Sequence, residues 1–334
     1  MIQFMNKILI IGSNSFAGSD FIDFILNKKI KIFAVSRSNQ INKENLRYKN
    51  NKNIKNLKFY KIDLNKKKDL DKLIQVIKKQ KIQYIVNFAA QGMVAESWIN
   101  PEDWYLTNIV SNAILIKKLS KIKINKYLNF STPEVYGNTS SLKREGNLFS
   151  PTTPYAISRT AQDLNLLAYF KTYNFPVVFT RAANIYGPYQ QNYRIIPKII
   201  ISILMKKKIP IHGKGNTLRS FIYMPDVSKA LYKILLDKKN IGETFHISSK
   251  KFISILNLVK LIKKIMKVNG VITYHTKERD GKDLKYTLNS SKVRKRYSWL
   301  EKTSLDDGII DTINWVKNNI NYFKKTPLKY IHKK

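Results

Sequence analysis

The segment Lys7-Ile-Leu-Ile-Ile11 is apolar without alternation and stops at Gly12. From residue 16 to 27 apolar side chains (Phe21, Ile22, Phe24, Ile25 and Leu26) return at helical spacing. A strand buried on both faces reads this way, and burying both faces requires helices on both sides of a parallel sheet. The unit repeats: residues 30–35, 57–62, 82–88, 126–131 and 177–181 read as further strands, with helices over 69–79 and 153–173. Another helix starts at Asn100-Pro101-Glu102-Asp103. There a capping Asn, a proline in the first turn and two acids meet the positive end of the helix dipole. Strands alternating with helices predict an α/β fold, a doubly wound parallel sheet that binds ligands beyond the carboxyl ends of its strands. After Arg181 the alternation weakens, and glycines and prolines gather at Gly187-Pro188, Pro210, Gly213 and Gly215. Helices are expected over 226–237, 253–266 and 305–318, and this second half reads as a smaller cap packed on the first.

Composition bounds the uses of such a fold. A chain of 334 residues makes one large or two small domains at about 150 residues each. Cysteine is absent, which excludes disulfides, thiolate metal sites and cysteine nucleophiles and points to a reducing compartment. His212, His246, His275 and His332 are scattered, so no metal site is expected. No apolar run approaches the roughly 18 residues that cross a bilayer, and residues 1–11 end in a glycine turn rather than a cleavage site. The reading is a soluble, cytoplasmic protein with no membrane partner. Sixty-one Lys and Arg against 22 Asp and Glu leave a net charge of +39. Such a field attracts polyanions, but the lysine clusters at 66–68, 206–208 and 263–264 lie in unrelated segments. The localised footprint of a nucleic-acid binder is missing, and no nucleic-acid partner is expected. An anionic small molecule would profit from the same field.

The turn Gly12-Ser-Asn-Ser15-Phe-Ala-Gly18 joins the first strand to the first helix. Gly12 permits the tight bend and Gly18 a close approach of helix to strand. Ser15 stands where the usual pattern has its middle glycine. The helix amino terminus then faces a pyrophosphate. At the end of the second strand an acid selects NAD, whereas an arginine accommodates a 2′-phosphate. Ser36-Arg37-Ser38 offers no acid, which favours NADP over NAD. Asp63-Leu64, after the third strand, is placed either to contact adenine or to cap the next helix.

Three further segments follow later strands: Ser131-Thr132-Pro133-Glu134-Val135-Tyr136-Gly137, Pro154-Tyr155-Ala-Ile-Ser-Arg159, and Thr180-Arg181-Ala-Ala-Asn184-Ile-Tyr186-Gly187-Pro188. Tyr155 and Arg159 are four apart and share a helix face. A cation there favours tyrosinate, lowering a pKa of about 10 toward working pH, as a base for a secondary alcohol requires. Together these segments resemble the extended short-chain dehydrogenase/reductases that act on nucleotide sugars, above all the dTDP-glucose and GDP-mannose 4,6-dehydratases. Ala89-Ala90-Gln91, Ser97, Asn108, Gly213-x-Gly215-x-x-x-Arg219, Tyr223-x-x-Asp226 and Arg279-Asp-Gly281-Lys-Asp283 match in the same order. The resemblance implies a Rossmann-type dinucleotide-binding domain over residues 1–180 plus about 222–248. It implies a nucleotide-sugar-binding unit over about 181–221 and 249–334.

The resemblance also assigns roles. Tyr155 is base and acid at C4, Thr132 bonds the C4 oxygen, Arg159 tunes Tyr155, and Glu134 removes the C5 proton so that water leaves across C5–C6. Phe16, Ala89 and Ala90 join Gly12, Ser15, Gly18, Ser36, Arg37, Asp63, Leu64, Tyr155 and Arg159 around a tightly held, recycled NADP or NAD. Gln91, Asn184, Arg219 and Arg279 hold the nucleotide diphosphate sugar, and His246, where the dehydratases have Asn, reads as a core or surface histidine in preference to a nucleobase or ribose contact. A homodimer built from the Tyr155 helix and the helix after Pro101 is expected, in deoxysugar or surface-polysaccharide precursor synthesis. Two departures stand out. The family has Lys where this chain has Arg159, and the two cations are not interchangeable. The dTDP-glucose branch has an Asp at Pro133 to protonate the leaving hydroxyl; here Glu134, water or substrate must do so, or the reaction differs. The alternatives are a C4-epimerase or uronic-acid decarboxylase on the same fold, and a catalytically silent NADP-sensing binding protein.

Overall fold

The computed structural model describes residues 5–270, 272–278, 281, 283 and 285–332. The chain runs β1 (Lys7–Ile11), α1 (Phe16–Leu26), β2 (Lys31–Ser36), β3 (Leu57–Lys61), α2 (Lys67–Gln80), β4 (Tyr84–Asn87), α3 (Pro101–Tyr105), α4 (Asn112–Leu119), β5 (Lys126–Ser131), α5 (Pro154–Tyr173) and β6 (Val177–Ala182). It continues through β7 (Asn184–Tyr186), α6 (Ile195–Leu204), β8 (Ile209–His212), β9 (Leu218–Arg219), β10 (Phe221–Tyr223), α7 (Met224–Leu236) and β11 (Thr244–Ile247). The last elements are β12 (Ile253–Ser254), α8 (Ile255–Ile265), β13 (Thr273–Thr276), α9 (Ser291–Tyr297), α10 (Leu305–Asn318) and α11 (Ile320–Lys324).

Seven strands form one sheet in the order β11-β6-β5-β4-β1-β2-β3, and every neighbouring pair is parallel. Strand order reverses between β1 and β4, the switch point at which doubly wound sheets open a crevice outside their strand ends. Successive side chains point to opposite faces of each strand. Ile8, Ile10, Ile32 and Ala34 therefore pack under α1 and α7, while Leu9, Ile11, Phe33 and Val35 pack under α2, α4 and α5. A third apolar cluster joins Ile199 and Ile200 of α6 to Ile211, Leu258, Ile262, Ile309 and Trp315. No helix among the described residues is long and apolar enough to cross a membrane.

The first six strands stand where the patterning puts them. The seventh, β11, is not an expected strand: Thr244-Phe-His-Ile247 is too short and mixed to stand out. It becomes one by pairing with the fully buried β6. Asn100 does not cap α3, because its side chain makes no cap hydrogen bond; Pro101, Glu102 and Asp103 carry that start. A π-helical turn over Leu106–Ser111 joins α3 to α4, a feature frequent at functional sites. Helix α8 begins at Ile255 rather than 253, because Ser254 accepts from the Asn257 amide (3.2 Å) and residues 253–254 pair with β9. Lys126 opens β5 inside the molecule. Its ammonium donates to Ile234 O (3.2 Å), Asp237 O and Asn240 Oδ1 (2.6 Å), closing the carboxyl end of α7, and burial pulls its pKa down to about 8.

Candidate active site

Two cavities open at the carboxyl ends of the central strands. One, of about 450 Å³, is walled by Gly12, Ser15, Ser36, Arg37, Asp63, Leu64 and Ala89. The other, of about 600 Å³, is walled by Phe16, Thr132, Glu134, Tyr155, Arg159, Asn184 and Arg219. Ser15, Phe88, Ala90, Gln91, Tyr193 and Tyr330 line both, so the two form one continuous cleft. Its size is that of an ordinary ligand site.

The glycine turn has the shape a pyrophosphate needs. Gly12 sits at φ +84°, and a Cβ there would lie 2.6 Å from the Ala89 amide nitrogen; a Cβ on Gly18 would lie 2.4 Å from Gly12 O. Ser15, in place of the middle glycine, is the cap of α1: its hydroxyl donates to Gly12 O (2.7 Å) and accepts from the Gly18 amide (3.0 Å). The first-turn N–H groups of α1 are thus presented to an anion. Asn14, which the sequence reading passed over, ties this turn to the end of β2 by donating to Ser38 Oγ (3.2 Å) and Asn39 O (2.9 Å). Asp63 does not cap α2, whose cap position is Lys66. Its carboxylate accepts from the Asn65 amide (3.1 Å) and its own amide donates to Asp69 Oδ2 (2.7 Å), which fixes the loop beside the cavity.

The candidate reactive groups converge from two elements. Thr153 caps α5, accepting from the Ala156 amide (3.1 Å), and Pro154 follows in the first turn, so Tyr155 leaves the helix start into the cleft. Its amide donates to Ser97 Oγ (3.1 Å). Arg159, one turn on and buried, donates to Phe130 O (2.5 Å) at the end of β5. Beyond β5, Thr132 accepts from the Glu134 amide (3.3 Å), and its hydroxyl lies near enough to the Tyr155 phenol to pull its pKa down. Burial raises the Tyr155 pKa above the ordinary phenol value, and outweighs the pull of Arg159, Thr132 and Arg194. This corrects the expectation of a lowered tyrosine: Arg159 acts in the expected direction, but a carboxylate, Glu134, faces the same phenol and desolvation dominates. Glu134 Oε2 is out of water and meets no hydrogen-bond partner. Burial pushes its carboxyl up to about 7, with Arg219 and Arg194 pulling down and Asp283 pushing up.

A buried network holds this pair of segments in register. Asp163, two turns along α5 from Tyr155, accepts from Asn129 Nδ2 (2.9 Å), Ser131 Oγ (2.8 Å) and Arg181 Nη2 (2.8 Å). Arg181 also donates to the Tyr136 hydroxyl (2.5 Å), which meets His246 Nε2 at 2.8 Å. The residues just before Thr132 and just after Glu134 are thereby anchored to α5 and β6. A buried pair this well bonded costs about 3–5 kcal/mol to break from one side. His246 belongs to this network and lines neither cavity, and burial pulls its pKa down to about 3. It is a core residue, the reading preferred for it from the sequence.

The far wall comes from the second half. Asn184 accepts from the Tyr286 hydroxyl (2.9 Å) and donates to Ser220 O (3.2 Å). Arg219 lies 4.4 Å from the Tyr286 ring centre and donates to Asp283 O (2.7 Å). Asn108, carried by the π-helical turn, accepts from the Gln91 amide (2.9 Å) and donates to Gln91 O (3.1 Å), pinning Gln91 where the two cavities join. Arg279 lies outside the described residues. The sequence reading missed Arg194, which faces Tyr155 and Glu134 from the start of α6; among 61 basic residues nothing marked it. No cluster of three or more potential metal ligands exists among the described residues.

This geometry has counterparts. The sequence pattern of the GDP-mannose 4,6-dehydratase family matches residues 9–312. The dTDP-glucose 4,6-dehydratase of Escherichia coli is 28% identical over 96% of this chain and 96% of that protein. The dTDP-glucose 4,6-dehydratase DesIV of Streptomyces venezuelae, solved with NAD bound, superposes with a TM-score of 0.88 at 25% identity, covering 97% of this chain and 100% of that one. The UDP-glucuronic acid 4-epimerase of Bacillus cereus superposes with a TM-score of 0.83 at 26% identity, over 93% and 99% of the two chains.

Proposed function

The chain belongs to the GDP-mannose 4,6-dehydratase family and is a nicotinamide-dependent nucleotide-sugar 4,6-dehydratase; we propose that the cleft residues divide its reaction as follows. The glycine turn, Phe16, Ala89 and Ala90 hold the dinucleotide, and Gln91, Asn184 and Arg219 hold the nucleotide diphosphate sugar. A bound nicotinamide would supply the hydride acceptor for C4 and the hydride donor for C6. Tyr155 takes the C4 hydroxyl proton while Thr132 hydrogen-bonds the same oxygen. Glu134 takes the C5 proton that the C4 ketone has acidified. Pro133 has no proton to offer, so Glu134 passes the proton it has gained to the departing C6 hydroxyl, which leaves as water. Reprotonated from solvent, Glu134 then returns a proton to C5.

The observation that carries this reading is the half-buried Glu134 carboxyl in the cleft beside Tyr155, with Oε2 out of water and unpartnered and the group pushed up to about 7. That is a value at which one carboxyl serves as base and acid in turn. Epimerisation at C4 has no use for such a group. Incubation with UDP-, GDP-, CDP- and dTDP-hexoses tests it. Product lighter by one water is expected with at least one of them; unchanged mass establishes epimerisation instead, and loss of carbon dioxide a decarboxylase.

The same proposal takes NAD as the cofactor. Its support is the NAD held by DesIV and a second task for Arg37, whose charge faces the Tyr330 phenol. This replaces the NADP preference drawn from Ser36-Arg37-Ser38. Cofactor released from denatured protein should match NAD in mass; an extra phosphate would restore NADP. A homodimer is also proposed. Leu106, Val110 and Ile114 form an exposed stripe four residues apart, and Ile157 and Leu164 continue it on α5, which packs beside α3. Unpaired apolar patches of this kind mark interfaces. Light scattering should give twice the 39.0 kDa chain mass, and a monomer would refute the dimer. A cytoplasmic location, where nucleotide sugars and nicotinamide cofactors are made, completes the proposal, and cell fractionation checks it.

A further inference from the structure

Residues 326–332 have no regular secondary structure, yet they are fixed at several points along the open side of the cleft. Pro327, Lys329 and Ile331 line the cavity beside the glycine turn and the end of β2, and Tyr330 lines both cavities. At the near end Asn192 donates to Thr326 Oγ1 (3.0 Å) and Pro327 O (2.8 Å). In the middle the Tyr330 ring meets Tyr193 edge-on, with centres 5.3 Å apart, and the charge of Arg37 reaches the Tyr330 phenol. At the far end His332 Nε2 lies 2.6 Å from Asp103 Oδ2, and its ring stacks on Trp104 at 5.1 Å with planes 13° apart. Asp103 and Trp104 belong to α3, in the first half of the chain. The segment therefore crosses from the second half of the chain, over the groove, to a helix of the first half.

We propose that residues 326–332 form a strap across the dinucleotide groove that keeps the cofactor bound between turnovers, with His332 and Asp103 as its clasp and Tyr330 as its inner wall. The inference rests on the cofactor reading above and adds to it a device that no glycine turn supplies. An enzyme that returns its hydride to its own product gains nothing from releasing the cofactor. A bar across an open side of a groove slows release without touching the reacting atoms. Tyr330 and His332 are positioning residues in this scheme.

The test is the rate at which purified protein loaded with NAD loses it into an excess of the fluorescent etheno-NAD analogue. Wild type should exchange slowly. His332→Ala and, from the other side of the clasp, Asp103→Asn should each exchange about ten-fold faster, the loss of one charge-assisted hydrogen bond. Tyr330→Ala should do likewise, and His332→Gln, which can still donate to Asp103, should recover most of the retention. In wild type, NAD should also slow tryptic cleavage after Lys325 and Lys329, which a merely structural contact would not do. Wild type that binds NAD while every variant exchanges it at the wild-type rate overturns the strap alone. Wild type that takes up no NAD at any concentration overturns the cofactor reading and the strap with it.

Discussion

In the Glu134→Gln variant the sugar is oxidised at C4 and goes no further. Glutamine keeps the size and polarity of the side chain and removes only its capacity to take a proton. The C5 proton then stays in place, and release of dehydrated product falls about 10²–10⁴-fold, the usual range for a positioned acid–base group. Reduced nicotinamide accumulates on the protein, seen by its absorbance, because oxidation at C4 does not call on residue 134. The wild-type pH profile carries the same signature. Burial pushes the Glu134 carboxyl up to about 7, and it accepts a proton only when ionised. Elimination should therefore gain rate as pH rises toward 7 and flatten above it, and the glutamine variant should lack that limb. Dehydrated product at the wild-type rate from this variant would remove Glu134 from the chemistry. It would also leave the epimerase relatives as the better guide.

What the sequence disclosed follows from which residues are locally determined. Strands β1, β2 and β4 are short apolar runs bounded by turn residues, and the glycine turn is a backbone requirement: at Gly12 and Gly18 a side chain has no room. Both kinds of information are written in single positions. The motif residues Thr132, Glu134, Tyr155 and Arg159 also stand at strand or helix ends, and the fold brings them to one cavity. The remainder depends on tertiary partners. β11 needs β6 beside it, β12 needs β9, and neither has a pattern of its own. Arg194 is one arginine among many until α6 turns it toward Tyr155. The direction of the Tyr155 shift shows the same limit. Spacing reveals the cation at Arg159, but the opposing carboxylate and the depth of burial are properties of the folded cleft. By sequence Asp63 is open to two readings, an adenine contact or a cap of the next helix, and only the Asn65 and Asp69 contacts show that it braces its own loop.

Tyr155→Phe should stop the reaction one step earlier than the glutamine variant does. In the proposed scheme the phenol takes the C4 proton from the start of α5, with the Thr132 hydroxyl and the charges of Arg159 and Arg194 favouring its ionised form. Phenylalanine fills the same space and keeps the ring, so the cleft survives while the base is lost. Oxidation at C4 should fall by about 10²–10⁴-fold, and no reduced nicotinamide should build up on the protein. The two variants thus fail at different points. One traps the oxidised sugar, the other never makes it, and the double variant should resemble Tyr155→Phe alone because oxidation comes first. The sign of the pH effect follows from burial. Tyr155 sits above the ordinary phenol value, so its ionised fraction grows as pH rises through the neutral range, and single-turnover oxidation in wild type should climb with it. Phenylalanine should flatten that climb. A phenylalanine variant that still reduces its bound cofactor at the wild-type rate with a reactive nucleotide sugar would show that another group takes the C4 proton. Arg159 and Thr132 would then be left holding a tyrosine with no part in the chemistry.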